Sequence, residues 1–533
     1  MIQSPRVRFA AFVLASIASL LPSCASGDAG MDRSDARPNI LIIYGDDVGY
    51  ADVSAYGGEI RTPNIDALAA DGRLFTRAHA SSATCTPSRY SLLTGRYPFR
   101  NDRAEILPGD APLLIEPGSL TLPSHLASNG YETAVVGKWH LGLGEGAIDW
   151  NHEVKPGPLE IGFGMSYLIP ATNDRVPCVY LDGHHVENLD PADPLRVSYE
   201  EKIGDWATGT ENPDACRYPA DRQHSGTIVN GISRIGWQDG GASALWVDEA
   251  MADRFTGRAI EFIEQREAAD EPWFLFFSLH QPHVPRLPNQ RFLGTSGFGL
   301  RGDAIVEADW CVGQLTAALD RLGAREDTPV IFTSDNGPVM NDGYNDGALR
   351  DRGTHDPSGR YRGGKYTLWE GGTRVPFIVN WPGTVGSGTS DALICQVDLL
   401  ATLGRVGGAP LSAGARRSTD SLDLADALVG QRGAGRRELV TQGVGGLAIQ
   451  DDTWKYIAPN PARASFGRGH WSVQKHEGSG NPLGSPAIGA GASLFDLTGD
   501  PAEADDVAAD HPAIAARMRA RLEAILAREG TAP

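Results

Sequence analysis

The chain has 533 residues, of which 41% are hydrophobic and 21% charged, so it is too rich in apolar residues for wholesale disorder and long enough for a large domain plus a smaller one. With 47 basic against 67 acidic side chains it carries −20, which argues against nucleic acid as a partner, because phosphate binding draws on Lys/Arg surfaces. A small anionic substrate stays open, since distant surface carboxylates are screened within about 10 Å. Six cysteines are too few for a disulfide-built scaffold, and no window reaches the roughly 18 to 20 apolar residues of a membrane span.

At the N-terminus, Arg6 and Arg8 precede an apolar run from Phe9 to Leu21, the pattern of an export signal over residues 1–23. Leu21-Pro22-Ser23-Cys24 is similar to a bacterial lipoprotein cleavage site, which would leave Cys24 lipidated and the protein in the periplasm or at the cell surface; an ordinary cut between Ala25 and Ala29 is the alternative. Residues 24–37 read as a linker.

Short apolar runs then predict buried strands at Asn39–Tyr44, Thr133–Val136, Trp273–Phe277, Pro329–Phe332 and Val375–Val379. Helical patterns fall between them, at Pro63–Ala70, Ser119–Asn129, Ala244–Glu267 and Asp303–Leu322. Strands alternating with helices give an α/β fold on a large, mostly parallel sheet, a large domain over residues 38–403. Two polar, Gly-rich stretches, 150–241 and 334–373, are too long for ordinary connections and read as functional loops at one end of that sheet. A smaller C-terminal α+β unit, 404–533, carries a hairpin at Gly446–Ile457 and a last helix at His511–Glu529, with a Gly/Ser-rich stretch at Gly478–Gly491.

The first four strands each end in a polar cluster: Gly45-Asp46-Asp47, Gly137-Lys138-Trp139-His140, His280-Gln281-Pro282-His283 and Ser334-Asp335-Asn336-Gly337. Ligands in open α/β sheets bind beyond the carboxyl ends of strands, so these clusters predict one shared pocket. An isolated aspartate pair is more often a solvated turn, but a second polar pair after a second buried strand points to a ligand set. Asp46, Asp47, Asp335 and Asn336 are hard oxygen donors without a thiolate, which suits Ca²⁺, with Mg²⁺ second, rather than zinc. In Cys85-Thr86-Pro87-Ser88-Arg89, Pro87 is expected to begin a helix with Cys85 just before it, where backbone N–H groups favour an anion and acidify a thiol. From the residues alone, Cys85 is either a nucleophile beside an anion site or a buried structural cysteine.

Cys85-Thr86-Pro87-Ser88-Arg89 with Leu92-Leu93-Thr94-Gly95-Arg96 closely resembles the signature of type I, formylglycine-dependent sulfatases. Asp46-Asp47, Lys138-Trp139-His140, Pro282-His283, Asp335-Asn336, Gly364-Lys365 and the closing Leu494–Pro501 with Glu503 lie in the family's order. The resemblance implies an alkaline-phosphatase-like fold and a maturation enzyme that converts Cys85 to formylglycine, whose hydrated aldehyde attacks sulfur. It implies that Asp46, Asp47, Asp335 and Asn336 hold one divalent cation and that Arg89 holds the modified side chain. Lys138, His283 and Lys365 would bind sulfate, and His140 would take the proton that lets the sulfated intermediate collapse. His280 lines the pocket and contacts sugar hydroxyls, or is a structural histidine; Asp335 is a ligand, or also a base.

His79, His125 and His355 read as structural, Cys311 and Cys395 as core, and Cys178 with Cys216 as a pair that could form a disulfide. Polar loop residues (Asn173-Asp174-Arg175, His184-His185, Tyr344, His355, Arg360) suit a sugar better than an aryl group, and Phe277–Arg286 with Asn230–Arg234 resembles bacterial carbohydrate sulfatases. The expectation is an exported sulfatase acting on a sulfated carbohydrate, with 6-O-sulfated galactose or N-acetylgalactosamine first. The alternatives are a phosphonate monoester or phosphodiester hydrolase of the same fold, and a non-catalytic sulfated-glycan binder if Cys85 stays unmodified.

Overall fold

Burial of every residue of Ile40–Gly45 (β1) makes this strand the axis of the molecule. Its alternate side chains feed two separate cores: Ile40, Ile42 and Tyr44 pack on one face, Leu41 and Ile43 on the other. A strand buried on both faces needs helices on both sides of its sheet, and that is what the chain builds. The computed structural model describes residues 37–430, 433–460 and 491–528; the export signal, Cys24, the linker through residue 36 and most of the Gly478–Gly491 stretch lie outside the described residues. From Arg37 onward the chain forms a single unit by its internal contacts.

Among the described residues the main sheet has ten strands: β1, Arg73–Phe75 (β2), Glu132–Lys138 (β3), Met165–Ile169 (β4), Leu181–Asp182 (β5), His185–Val186 (β6), Trp273–Ser278 (β7), Val330–Ser334 (β8), Phe377–Asn380 (β9) and Gly388–Ser390 (β10). Their order across the sheet is β10-β2-β9-β8-β1-β7-β3-β4-β5-β6. The central run β8-β1-β7-β3-β4 is parallel, whereas β9 pairs antiparallel with β8. The sheet is therefore mixed, with the expected parallel part at its centre. Register sets the ends level: Tyr44 lies beside Ser278, Gly45 beside Ser334, and Ser278 beside Gly137.

On the Leu41/Ile43 face lie the helices Met251–Ala269 and Gly299–Leu322, through Phe255, Ile263, Ile305, Val312 and Leu315. The other face is covered from Cys85–Thr94, Leu122–Ala127 and Leu399–Val406, through Leu92, Leu93, Leu126, Leu400 and Leu403. The last of these helices runs across the expected boundary after residue 403 and belongs to the large domain's core. Helix Pro63–Ala70 has the predicted limits; Leu122–Ala127 is shorter than predicted because Thr121 and Ser124 close a capping box at its start.

A second, antiparallel sheet follows, with Leu439–Gly443 (β11), Gly446–Gln450 (β12), Trp454–Ile457 (β13) and Ser493–Asp496 (β14) in that order. β12 and β13 form the predicted hairpin, and helix Pro512–Leu526 packs Met518, Leu522 and Ile525 against this sheet's core.

Candidate active site

The level strand ends bring the polar clusters together. Asp46 and Asp47 follow β1, Lys138 ends β3, His283 lies five residues past β7, and Asp335 and Asn336 follow β8. All six are buried, Asp46, Asp47, Lys138, Asp335 and Asn336 completely. Asp47 and His140 adopt left-handed backbone, at φ 65° and 59°, a strained conformation for a residue with a side chain and one that turns each chain sharply off its strand.

Cys85 is the first residue of its helix, with extended Thr84 as the cap, so Pro87 lies two residues inside rather than at the start. Its Sγ stands 3.2 Å from His140 Nδ1, and His140 Nε2 faces the Leu107 carbonyl at 3.0 Å. A carbonyl accepts only, so Nε2 carries the proton and Nδ1 presents its lone pair to residue 85. Burial, with Lys138 nearby, holds His140 well below the usual histidine pKa and therefore neutral. Burial also raises the Cys85 thiol, against the pull of Lys138 and Lys365, so the encoded side chain is a protonated thiol and a poor nucleophile.

Each cation here is matched to a carboxylate. Lys138 Nζ donates to Asp46 Oδ1 at 2.7 Å, and Lys365 Nζ to Asp47 Oδ2 at 2.9 Å and Asp342 Oδ2 at 3.1 Å. Arg89 donates Nε and Nη2 to Asp335 Oδ2 at 3.0 and 2.8 Å and Nη1 to the Lys138 carbonyl at 3.2 Å, and its guanidinium lies over the Tyr44 ring. Where the resemblance implies a grip on the modified side chain, the guanidinium thus turns to Asp335. Burial would raise Asp335, yet Arg89, Lys138 and Lys365 outweigh it and hold the carboxyl below its ordinary value. Asp46 and Asp47 are pushed up by burial, which their lysines only partly offset.

A narrow cleft opens above this layer, lined by Cys85, His140, His283, Lys365 and Tyr366 together with Asp174, Arg175, His224, Asp342, Ile106 and Ile235. The two long polar stretches supply Asp174, Arg175, His224 and Ile235, and Asp342, Lys365 and Tyr366. Asp174 accepts from Arg175 Nη1 at 2.8 Å and pairs with His224 Nε2 at 3.2 Å, while His224 Nδ1 meets Asp221 Oδ1 at 2.7 Å.

A profile of the sulfatase family matches residues 38–409. The chain belongs to the sulfatase family. It is similar to an N-acetylgalactosamine-6-O-sulfatase of Bacteroides thetaiotaomicron, 44% identical over 499 residues, 93% of this chain and 94% of the relative. Human arylsulfatase A is 34% identical across 75% of this chain and 70% of its own. A solved structure from work on glycosaminoglycan metabolism by Bacteroides thetaiotaomicron superposes with a TM-score of 0.86 at 44% identity, covering 92% of this chain and all of that one. The protein is a sulfuric ester hydrolase with an alkaline-phosphatase-like fold.

The sulfatase's donor atoms fit a hard cation. Asp46 Oδ2 and Asn336 Oδ1 are buried oxygens without a hydrogen-bond partner among the described residues. Asp46, Asp47 and His283 offer ligand atoms within 4.8 Å of one another. His283 Nδ1 lies 2.7 Å from the Val284 carbonyl, which leaves the Nε2 lone pair facing Asp47 Oδ2 at 4.0 Å. Around the cleft, five carboxylates (Asp46, Asp47, Asp174, Asp335, Asp342) face four cations (Arg89, Lys138, Arg175, Lys365), so an anionic substrate needs further positive charge.

Other expected residues lie elsewhere. His280 sits behind His283 in a separate polar chamber with Asn173, Gln281 and Glu307, its ring against Phe255, and burial lowers its pKa to about 4. His184 pairs with Glu160, His355 with Asp52, and Arg360 contacts Tyr361, so none of these lines the catalytic cleft. Tyr344 is buried beneath it, with its ring against His224. Cys178 and Cys216 are separate free thiols, and Cys311 and Cys395 are buried as expected. His224, Asp342 and Tyr366 went unmarked in the sequence because irregular loops have no periodicity to single them out; Tyr366 adjoins Lys365, the one local signal available.

Proposed function

We propose that this sulfatase removes 6-O-sulfate from N-acetylgalactosamine or galactose residues of a glycan, using formylglycine made from Cys85 and one calcium ion. The observation that carries this reading is the 44% identity, over nearly the full length of both chains, to a protein named for N-acetylgalactosamine 6-O-desulfation. The cleft agrees: carboxylate, guanidinium and imidazole groups of Asp174, Arg175, His224 and Asp342 offer hydrogen bonds to sugar hydroxyls, beside the apolar Ile106 and Ile235.

Sulfuryl transfer, like phosphoryl transfer, is largely positioning and stabilisation of charge on equatorial oxygens. A hydrated formylglycine supplies an oxygen nucleophile with a second hydroxyl as an exit, which serine lacks. A divalent cation held by Asp46, Asp47, Asp335 and Asn336 would supply Lewis-acid charge. The chain's own residues do the rest. Neutral His140, its Nδ1 lone pair fixed on residue 85, accepts the proton from a hydroxyl there. Arg89 keeps Asp335 ionised and oriented as a ligand. Lys138, Lys365 and His283 bind sulfate and ease departure of the sugar alcohol.

Two measurements test the reading. Peptide mass spectrometry over residues 78–89 of the protein from its native host should show Cys85 lightened by replacement of the thiol with an aldehyde oxygen; an intact thiol with glycan binding and no turnover would favour the non-catalytic binder. Rates on sulfate and phosphodiester substrates should favour sulfate, and faster phosphodiester turnover would sink the proposal. No helix of the described residues is long and apolar enough to cross a membrane. The basic-apolar N-terminus supports export to the periplasm or cell surface, with Cys24 as lipid anchor. Loss of membrane association in Cys24→Ala would support the anchor; unchanged fractionation would contradict it.

A further inference from the structure

Lys365 is 3% exposed, and its ammonium bridges two carboxylates, Asp47 Oδ2 at 2.9 Å and Asp342 Oδ2 at 3.1 Å. The other Asp47 oxygen, Oδ1, accepts from Asn336 Nδ2 at 2.7 Å. Both oxygens of Asp47 therefore already accept a donor, and a dication that claims this carboxylate competes for it with the Lys365 ammonium, which like-charge repulsion drives away. An ammonium driven off its partner in a buried site cannot turn to bulk water and needs another anion within reach. Asp342 already provides one.

Asp342 is itself held in place. It is 4% exposed and accepts the Tyr366 hydroxyl on both oxygens, at 2.8 and 3.0 Å. Tyr366 is in left-handed backbone at φ 76°, fixed by its N–H on the Ala83 carbonyl at 2.6 Å and by Val444 N–H on its own carbonyl at 2.8 Å. The strand of loop leading to Asp342 is fixed by Arg286, which donates to the Val339 and Met340 carbonyls, and by Arg301, which donates to Val339. Both Asp342 and Lys365 face the cleft above Cys85.

We infer that Asp342 is a positioning residue that takes over Lys365 when a metal ion claims Asp47, so that metal binding and presentation of the lysine to sulfate are coupled. This rests on the proposed metal site at Asp46, Asp47, Asp335 and Asn336. In Asp342→Asn the ammonium has lost its second anion and competes with the metal for Asp47.

Calcium titration calorimetry on the full-length protein tests this without recourse to turnover. Asp342→Asn should bind calcium about tenfold more weakly than wild type, Lys365→Met at least as tightly, and the double variant within about twofold of Lys365→Met. Equal affinity of wild type and Asp342→Asn would overturn the inference. So would an equal loss on the Lys365→Met background, because Asp342 would then act as a nearby negative charge rather than through the lysine. Should Asp342→Asn not fold, weaker calcium binding by Lys365→Met alone would also overturn it. A wild-type protein that binds no calcium would overturn the metal-site reading itself, and this inference with it.

Discussion

His140 has its two ring nitrogens assigned by their surroundings: Nε2 is occupied by the Leu107 carbonyl, and Nδ1 faces residue 85. Replacing it with alanine should lower kcat about 10²- to 10⁴-fold, the usual worth of a positioned base, with little change in Tm. Steady-state kinetics beside thermal unfolding would check both. Because His140 is held neutral well below its ordinary pKa, activity should not be lost to its protonation on moving from pH 7 to pH 6.

Asp52 shows the same economy beside the Asp46-Asp47 turn. It takes a bidentate pair from Arg301 at 2.6 and 2.5 Å and a bond from His355 Nε2 at 2.9 Å, while Arg301 also reaches the Asp47 carbonyl. Burial would raise Asp52, but Arg301 and His355 lower it to about 2. Its folded pKa is thus below the unfolded value near 3.9, so the stability it contributes is present above that value and lost as pH falls toward 2. The shift corresponds to roughly 2 to 3 kcal/mol. Asp52→Asn should cost at least that at pH 7, and urea unfolding at descending pH should show the gap from wild type narrowing between pH 4 and 2.

At the scale of elements, the small sheet is locked to the large domain through buried charge. Lys455 on β13 lies 3.0 Å from Glu370 Oε1 and 2.9 Å from Glu503 Oε1, Glu503 Oε2 accepts the Glu370 N–H at 2.5 Å, and Arg374 donates to Glu370. Removing one partner from such a cluster leaves an uncompensated buried charge, so Glu503→Ala should destabilise by about 3 to 5 kcal/mol. Loss of hydrogen-exchange protection should concentrate in β11–β14. The strands that carry the site were legible because burial on both faces writes continuous apolar runs, and each run stops where a polar ligand begins. Parallel register, which the runs alone do not specify, is what levels those stops into one site. Less could be read of the small sheet: its hairpin was evident around Asp451-Asp452, but β11 is a short strand without alternation, and its partners are set by tertiary contact. The same holds for the cleft walls, where Asp174 stands out within a polar loop yet His224, 50 residues on, is brought to it only by the fold.

Across the whole molecule, a charge of −20 surrounds a site built to take an anion. The fixed cations do not themselves reverse the sign, since Arg89, Lys138, Arg175 and Lys365 each sit on a carboxylate. A bound dication would tip the balance, which makes metal removal a second route to an inactive protein: chelation should abolish sulfate release and calcium should restore it. Screening then confines the positive region to the cleft. The polar walls above it ask for a sugar whose hydroxyls they can bond, and a site built on such bonds discriminates strongly against an isomer that misplaces them. The most direct measurement is sulfate release by the calcium-loaded, formylglycine-bearing enzyme from N-acetylgalactosamine 6-sulfate and from its 4-sulfate isomer. A kcat/KM at least about tenfold higher for the 6-sulfate is the predicted result; equal rates, preference for the 4-sulfate, or no release from either would contradict it.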